Sequence, residues 1–330
     1  MKEILHSEHL IHIEKFIEEQ LSLLKPVANS WQPSDLLPDM GKEGWHDDVL
    51  ELRRQSAALS DDLLVVLVGN IVTEEALPSY QTWLNRNHGL EDPTGASLTP
   101  WAMWTRGWTA EENRHGEVLN KYLYLTGRVD MRSFEITTHH LLKNGFDLKS
   151  GNDPYCSIVY AAFQERATKI SHANTGKLAD QCGDSTLSKI CSAIAGDEAR
   201  HEEAYKRFYK KIIEIDADVA VMAFATMMRQ KISMPALLMS DGVDMNLFEN
   251  FAVVAQKTGM YTVRDYAEII EHLLEFWDMG SLTGLSDAGE EAQEYVCKLP
   301  ARYLRRVELI EEKIHALPKT PFKWIFGRSV

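Results

Sequence analysis

Two five-residue runs, Glu111-Glu112-Asn113-Arg114-His115 and Asp197-Glu198-Ala199-Arg200-His201, constrain this chain more than any other feature. In each, a glutamate precedes a histidine by three residues, on a stretch whose apolar residues recur at helical spacing. Residues three apart share a helix face, so each run presents a carboxylate and an imidazole together. Around the second run, the stripe Leu187, Ile190, Cys191, Ile194, Tyr205, Phe208 and Ile212 continues through Glu198 and His201. Around the first, Trp101, Trp104 and Trp108 lead through Glu112 and His115 to Leu119 and Tyr122. Both pairs are expected to face a core. There an ionised carboxylate costs roughly several kcal/mol unless it is paired or bound to metal. One Glu-x-x-His on a helix is usually a solvated surface pair; two on apolar stripes point to a metal centre.

Two such pairs, with one further glutamate from each of two other helices, make the ligand set of ferritin-like di-iron carboxylate bundles. The first lone glutamate is expected at Glu74, on a face with Leu64, Leu67, Ile71 and Pro78; Glu75, one position round, is a rival. The second is Glu165, on a face with Ile158, Ala161 and Thr168. Four carboxylates offset the charge of two ferrous ions, whereas without metal they would repel one another. The expected fold is all-α: a ferritin-like four-helix bundle core with additional helices, in a single large domain over residues 1–330. Within it, residues 1–50 form an N-terminal helix and an irregular segment packed over the bundle.

Further runs carry a family resemblance. They are Thr73-Glu74-Glu75-Ala76-Leu77-Pro78-Ser79-Tyr80-Gln81-Thr82, Phe163-Gln164-Glu165-Arg166-Ala167-Thr168, Lys231-Ile232-Ser233-Met234-Pro235-Ala236 and Pro321-Phe322-Lys323-Trp324-Ile325-Phe326. With the two Glu-x-x-His runs, in order and from about Asn29 to the C-terminus, the sequence resembles the soluble plant-type acyl-acyl-carrier-protein (acyl-ACP) desaturases. The resemblance implies an O2-dependent enzyme of fatty acid biosynthesis that introduces a cis double bond into a saturated acyl chain. It implies two iron ions per chain, with Glu112 and Glu198 bridging them. Glu74 with His115 completes one site, and Glu165 with His201 the other. It also implies an acyl-ACP substrate, a ferredoxin-type electron donor and a homodimer. Trp31 and Asp197 match positions that link the surface to the cluster through His115. Trp83, Trp108 and Thr168 are expected along the substrate tunnel, where the bulk of Trp83 predicts a preference for acyl chains shorter than about eighteen carbons, or a double bond placed nearer the methyl end. Arg229 and Lys231 are expected to dock the acidic carrier protein.

The remaining features agree with an enzyme of this kind. A net charge of -14 argues against a general nucleic-acid or membrane-surface binder. Cys156, Cys182, Cys191 and Cys297 have neither disulfide-framework nor zinc spacing. No apolar run is expected to insert in a membrane. The mixed, acidic N-terminus does not read as a leader, so a bacterial-type cytoplasmic member or a trimmed plastid-stroma form is expected. Helices are expected over 1–28, 60–85 with a bend at Pro78, 99–127, 131–143, 153–180, 184–212, 216–230, 245–257, 263–277 and 286–316. Residues 29–50 are expected to be irregular, and Lys206, Arg207, Lys210 and Lys211 a solvated helix end. The same ligands also serve other di-iron oxygenases and iron-storage ferroxidases. The latter are usually about half this length and need no tunnel.

Overall fold

The computed structural model describes residues 2–149 and 151–330; Met1 and Ser150, which fall within the sequence expectations, lie outside them. In chain order the helices begin with α1 (Lys2–His12), α2 (Glu14–Gln20), α3 (Pro33–Leu36), α4 (Trp45–Ser56), α5 (Asp61–Glu74) and α6 (Leu77–Leu84). The long elements α7 (Pro100–Thr126), α8 (Met131–Asn144), α9 (Pro154–Gln181) and α10 (Ser185–Ile215) follow. The chain continues through α11 (Ala217–Gln230), α12 (Leu247–Thr258), α13 (Val263–Phe276), α14 (Asp287–Cys297), α15 (Leu299–Leu304) and α16 (Val307–His315). A two-residue antiparallel pair, β1 (Pro321–Phe322) with β2 (Arg328–Ser329), closes the described chain.

Helices α5, α7, α9 and α10 form the central bundle, and α9 against α10 is its most extensive pairing. Local chemistry starts each of them. Ser60 caps α5 by accepting from the Leu63 amide at 3.2 Å, and Asp61 and Asp62 complement the helix dipole. Pro100 and Pro154 occupy the first positions of α7 and α9, where no amide donor is needed. Buried Asp184 caps α10 at the Leu187 amide, 2.8 Å away, and also accepts from Tyr122 Oη of α7. From Leu63 to Glu74 every residue of α5 is buried. The stretch Asp61–Leu84 is apolar and long enough to cross a membrane by composition, but 83% of its most apolar window is buried in the protein. Gly69 lets α12 approach: a Cβ there would stand 2.0 Å from Phe251.

Five differences from the sequence expectations have local causes. The bend expected at Pro78 falls earlier, because a proline ring clashes with the carbonyl four residues back. That residue is Glu74, where α5 ends; Ala76 turns by bonding the Thr73 carbonyl at 3.1 Å, and α6 begins with Pro78 inside its first turn. The expected N-terminal helix is interrupted at Ile13, which buries between α1 and α2. Residues 29–50 are not irregular throughout, since α4 starts at Trp45. The C-terminal helix expected over 286–316 divides into three, with Pro300 inside the first turn of α15. Lys206 is not solvated either. It is buried, ion-paired with Glu202 and Glu203 at 3.2 Å each, and lies over the Phe276 ring. Trp101 and Trp104 are core residues, and Trp101 Nε1 donates to the Leu10 carbonyl.

Candidate metal centre

Each central helix contributes to one buried cluster: Glu74 from α5, Glu112 and His115 from α7, Glu165 from α9, and Glu198 and His201 from α10. All six side chains are 5% exposed or less. They fall into two groups of four that share Glu112 and Glu198. In Glu74, Glu112, His115 and Glu198, one donor atom from each lies within 4.8 Å of the others, and Glu112, Glu165, Glu198 and His201 satisfy the same limit. His115 Nδ1 stands 3.3 Å from Glu112, 3.5 Å from Glu198 and 3.8 Å from Glu74. His201 Nδ1 stands 2.7 Å from Glu112 and 3.5 Å from Glu165. Glu75, the rival to Glu74, turns aside and accepts from Asn120.

The chemistry of the donors tests whether metal fits. Glu112 Oε1, Glu165 Oε2, Glu198 Oε1 and both Nδ1 atoms are buried and make no aligned hydrogen bond. Orphaned polar atoms are costly in a core, and here they converge. Burial raises Glu165 well above the usual carboxylate range, and the nearby Glu112 charge adds to the rise. Burial also raises Glu74, against an opposing hydrogen bond from His172. For Glu112, burial is outweighed by His115 and His201, which hold it low. Burial would depress both imidazoles, but the carboxylates around them drive them well upward. Four acids forced against two bases, with hard oxygen and borderline nitrogen donors, match a pair of divalent transition-metal ions.

Behind each histidine stands a carboxylate from the opposite helix. Glu111 Oε2 lies 3.0 Å from His201 Nε2 in an aligned hydrogen bond, and Asp197 Oδ2 lies 3.5 Å from His115 Nε2. Such partners fix the ring so that its other nitrogen faces the metal. Arg200 joins the two acids, donating to each at 2.6 Å. Asp197 further accepts from Arg114 and from Trp31 Nε1, both at 2.9 Å. The Trp31 ring lies nearly parallel to that of His115, 6.1 Å between centroids, and is only partly buried. Glu111 was not singled out in the sequence, although it holds the same place before its Glu-x-x-His as Asp197 does. His172, whose Nε2 is 2.8 Å from Glu74 Oε1, carries no comparable signal.

A narrow cavity of about 50 Å³ runs alongside the cluster, and all four carboxylates line it. Trp108, Thr168 and Trp83, expected on the tunnel, line it too. Trp108 Nε1 donates to Glu165 Oε1 at 2.9 Å. Trp83 is 4% exposed and meets Phe146 and Tyr160 edge-on. One helical turn away along both α5 and α9, a second cavity of about 300 Å³ begins at Asn70 and Ser171. Lys231 lies on the lining of this second cavity, exposed. Arg229 instead faces α14, stacking over Tyr295 with Glu291 at 3.9 Å.

Comparison with known proteins gives consistent findings. The sequence profile of the fatty acid desaturase family matches residues 5–326. The stearoyl-[acyl-carrier-protein] 9-desaturase 1 of Arabidopsis thaliana, a chloroplastic protein, is 56% identical over 94% of this chain and 79% of its own. The corresponding enzyme of Olea europaea is 55% identical over 95% of this chain and 80% of its own. The acyl-[acyl-carrier-protein] desaturase of Cucumis sativus is 54% identical over 96% and 81%. Among solved structures, DesA2 of Mycobacterium tuberculosis H37Rv superposes with a TM-score of 0.57 at 18% identity. The superposition covers 86% of this chain and 99% of that one, a likeness of fold.

Proposed function

Since the chain belongs to the fatty acid desaturase family, we propose that it is an O2-dependent desaturase of acyl chains carried on acyl carrier protein, working through two iron ions. The observation that carries this reading is the pair of ligand groups sharing Glu112 and Glu198 beside an apolar cavity. The balanced reaction is saturated acyl chain plus O2, two electrons and two protons, giving the unsaturated chain and two waters. The iron pair, when bound, supplies the oxidising power that no side chain has, because the target C–H bonds are unactivated.

The protein's own residues do the rest. Glu74 and His115 would hold one ion, Glu165 and His201 the other, and Glu112 and Glu198 would span both. The cavity walls would hold the chain past the four carboxylates, so that one pair of carbons would stand beside the metals. Burial keeps bulk water from the site. We read the second cavity as the entrance to the same tunnel. There the carrier's prosthetic arm would lie under Lys231, with Trp83, Phe146 and Tyr160 closing the far end. Lys231 is the better placed of the two expected docking cations, since Arg229 is engaged with Glu291 and Tyr295. Electrons from a ferredoxin-type donor would enter at Trp31 and pass by Asp197 to His115. A homodimer, and work in a plastid stroma or a bacterial cytoplasm, complete the proposal.

Incubation of iron-loaded protein with acyl-ACPs of graded length, reduced ferredoxin and O2 tests the reading. Mass spectrometry should find a monounsaturated chain. No product from any acyl-ACP, with two irons bound, would overturn it. Docking by Lys231 also predicts that apparent substrate affinity weakens as salt rises, because such steering is screened.

A further inference from the structure

The outer oxygens of the two terminal carboxylates are each tied to a buried nitrogen donor. Glu165 Oε1 accepts from Trp108 Nε1 at 2.9 Å, leaving Oε2 toward His201. Glu74 Oε1 meets His172 Nε2 at 2.8 Å, leaving Oε2 toward His115. Trp108 comes from α7 and His172 from α9, so neither lies on the helix of the glutamate it touches. Glu74 and Glu165 each lie within 5% of full burial, and His172 is 1% exposed, so water does not substitute for these donors. We propose that His172 is a positioning residue of the metal centre: by holding one oxygen of Glu74 it fixes how that carboxylate faces the site, as Trp108 does for Glu165.

The argument rests on the metal-centre reading above and adds to it. A metal-bound carboxylate has no proton to give, so the bond requires the ring proton on Nε2. The terminal torsion of a glutamate is broad and nearly free, so an untied Glu74 could turn its oxygens among several presentations. Tying Oε1 removes that freedom before metal arrives. His172 sits one turn beyond Thr168 on α9, between two hydroxyl residues, Ser171 and Thr175. Both back-bond to their own helix, at Ala167 O and Ser171 O, each at 2.8 Å. Neither is thus free to replace the histidine as donor to Glu74.

Removal of an outer hydrogen-bond partner typically weakens metal binding about 10- to 100-fold. The test is competition titration with Co(II) against a chelator, on the full-length protein. Wild type should show two tight sites. His172→Met keeps most of the volume but cannot donate, so it should leave one tight site and one weakened about 10- to 100-fold. Trp108→Phe should give the same count from the other half, and the double variant should leave no tight site. His172→Gln, which retains an N–H donor, should recover two. Two tight sites in His172→Met, or equal loss in His172→Gln, would overturn the proposal, because packing alone would then explain the residue. A wild type that binds no pair of ions would sink the metal-centre reading itself, which is a separate outcome. Should His172→Met fail to fold, the Gln variant set against Trp108→Phe still decides.

Discussion

The two halves of the candidate metal centre are built from one pattern, an acid, a glutamate, any residue, an arginine and a histidine, yet they face the surface differently. In the half completed by His201, the acid Glu111 makes one aligned bond to the ring and also accepts from Arg200 at 2.6 Å and from the Lys25 amide at 2.7 Å. In the half completed by His115, the acid Asp197 is shared among Trp31, Arg114, Arg200 and Lys25. Its contact to the ring is longer, 3.5 Å, and is not an aligned bond. The cause lies outside both helices. The N-terminal segment crosses over the pair and lays Trp31 against His115 and none of its rings against His201, among the described residues. A repeated motif therefore gives one half an acid aligned on its ring and the other an acid shared with a partly buried tryptophan.

The largest expected effect removes what the halves share. Glu112→Ala or Glu198→Ala deletes an oxygen pair common to both ligand groups. Metal analysis should find the paired centre gone, and turnover should drop by more than the roughly hundredfold typical of losing an outer partner. Full turnover with two irons in either variant would refute the sharing.

Next in size is a change that should separate the halves. Trp31→Phe preserves the apolar body and deletes the Nε1 donor to Asp197. Stopped-flow reduction by ferredoxin should slow about tenfold, the scale of a lost outer partner, with metal content unchanged. Glu111→Gln should instead weaken one metal ion and spare the reduction rate of what remains bound. If the two variants behaved alike, the proposed electron path through Trp31 and Asp197 would be lost as a distinction between the halves.

A smaller effect concerns the cavity that both halves line. Trp83→Leu should open space at its far end and lengthen the preferred chain. Each methylene newly accommodated is worth about 0.8 kcal/mol, or about fourfold in preference. An unchanged chain-length profile with activity intact would leave Trp83 a packing residue against Phe146 and Tyr160.

The smallest lies at the opposite end of the helix that carries Glu74. Arg328 donates twice to Asp61, at 2.7 and 2.8 Å, joining β2 to the start of α5. The Arg328 hydrogen bond, the largest influence on it, lowers Asp61 below its usual value. A lowered folded value means the contribution is present above the unfolded value of about 3.9 and is lost as pH falls through the folded one. The pair is partly exposed, so Asp61→Asn should cost only about 0.5 kcal/mol at pH 7. Denaturation curves of variant and wild type should converge below about pH 3. A gap that persisted there would assign the loss to something other than the ion pair.

Much of the centre was legible because its spacing is local. Glu112 with His115 and Glu198 with His201 are each three residues apart, and helical geometry alone puts each pair on one face. Glu74 and Glu165 could be picked out because a charged residue interrupts an otherwise apolar face. Glu75 could not be excluded that way, since one position round is within the width of a buried stripe; the turn after Glu74 decided it. The same turn shows why helix limits were misplaced. The spacing alone puts the bend at Pro78 itself, whereas a proline's steric reach is four residues upstream. A basic run near a helix end is usually solvated, which is why Lys206 is expected to be so. Here Glu202 and Glu203, on the same helix, and the Phe276 ring of α13 draw it under the surface.

By itself, then, the sequence determined the helical class, the two ligand pairs and the candidates for the lone glutamates. Each depends on residues within a turn or two of one another. Apart from Asp197, whose place beside His115 the resemblance implied, only the tertiary structure decided who stands behind these groups: His172 is 98 residues from Glu74, Glu111 is 90 from His201, and Trp108 is 57 from Glu165. These bonds cross between helices, so they depend on how far each helix is rotated and slid against its neighbour. Packing of whole faces sets that rotation, and no spacing along the chain records it.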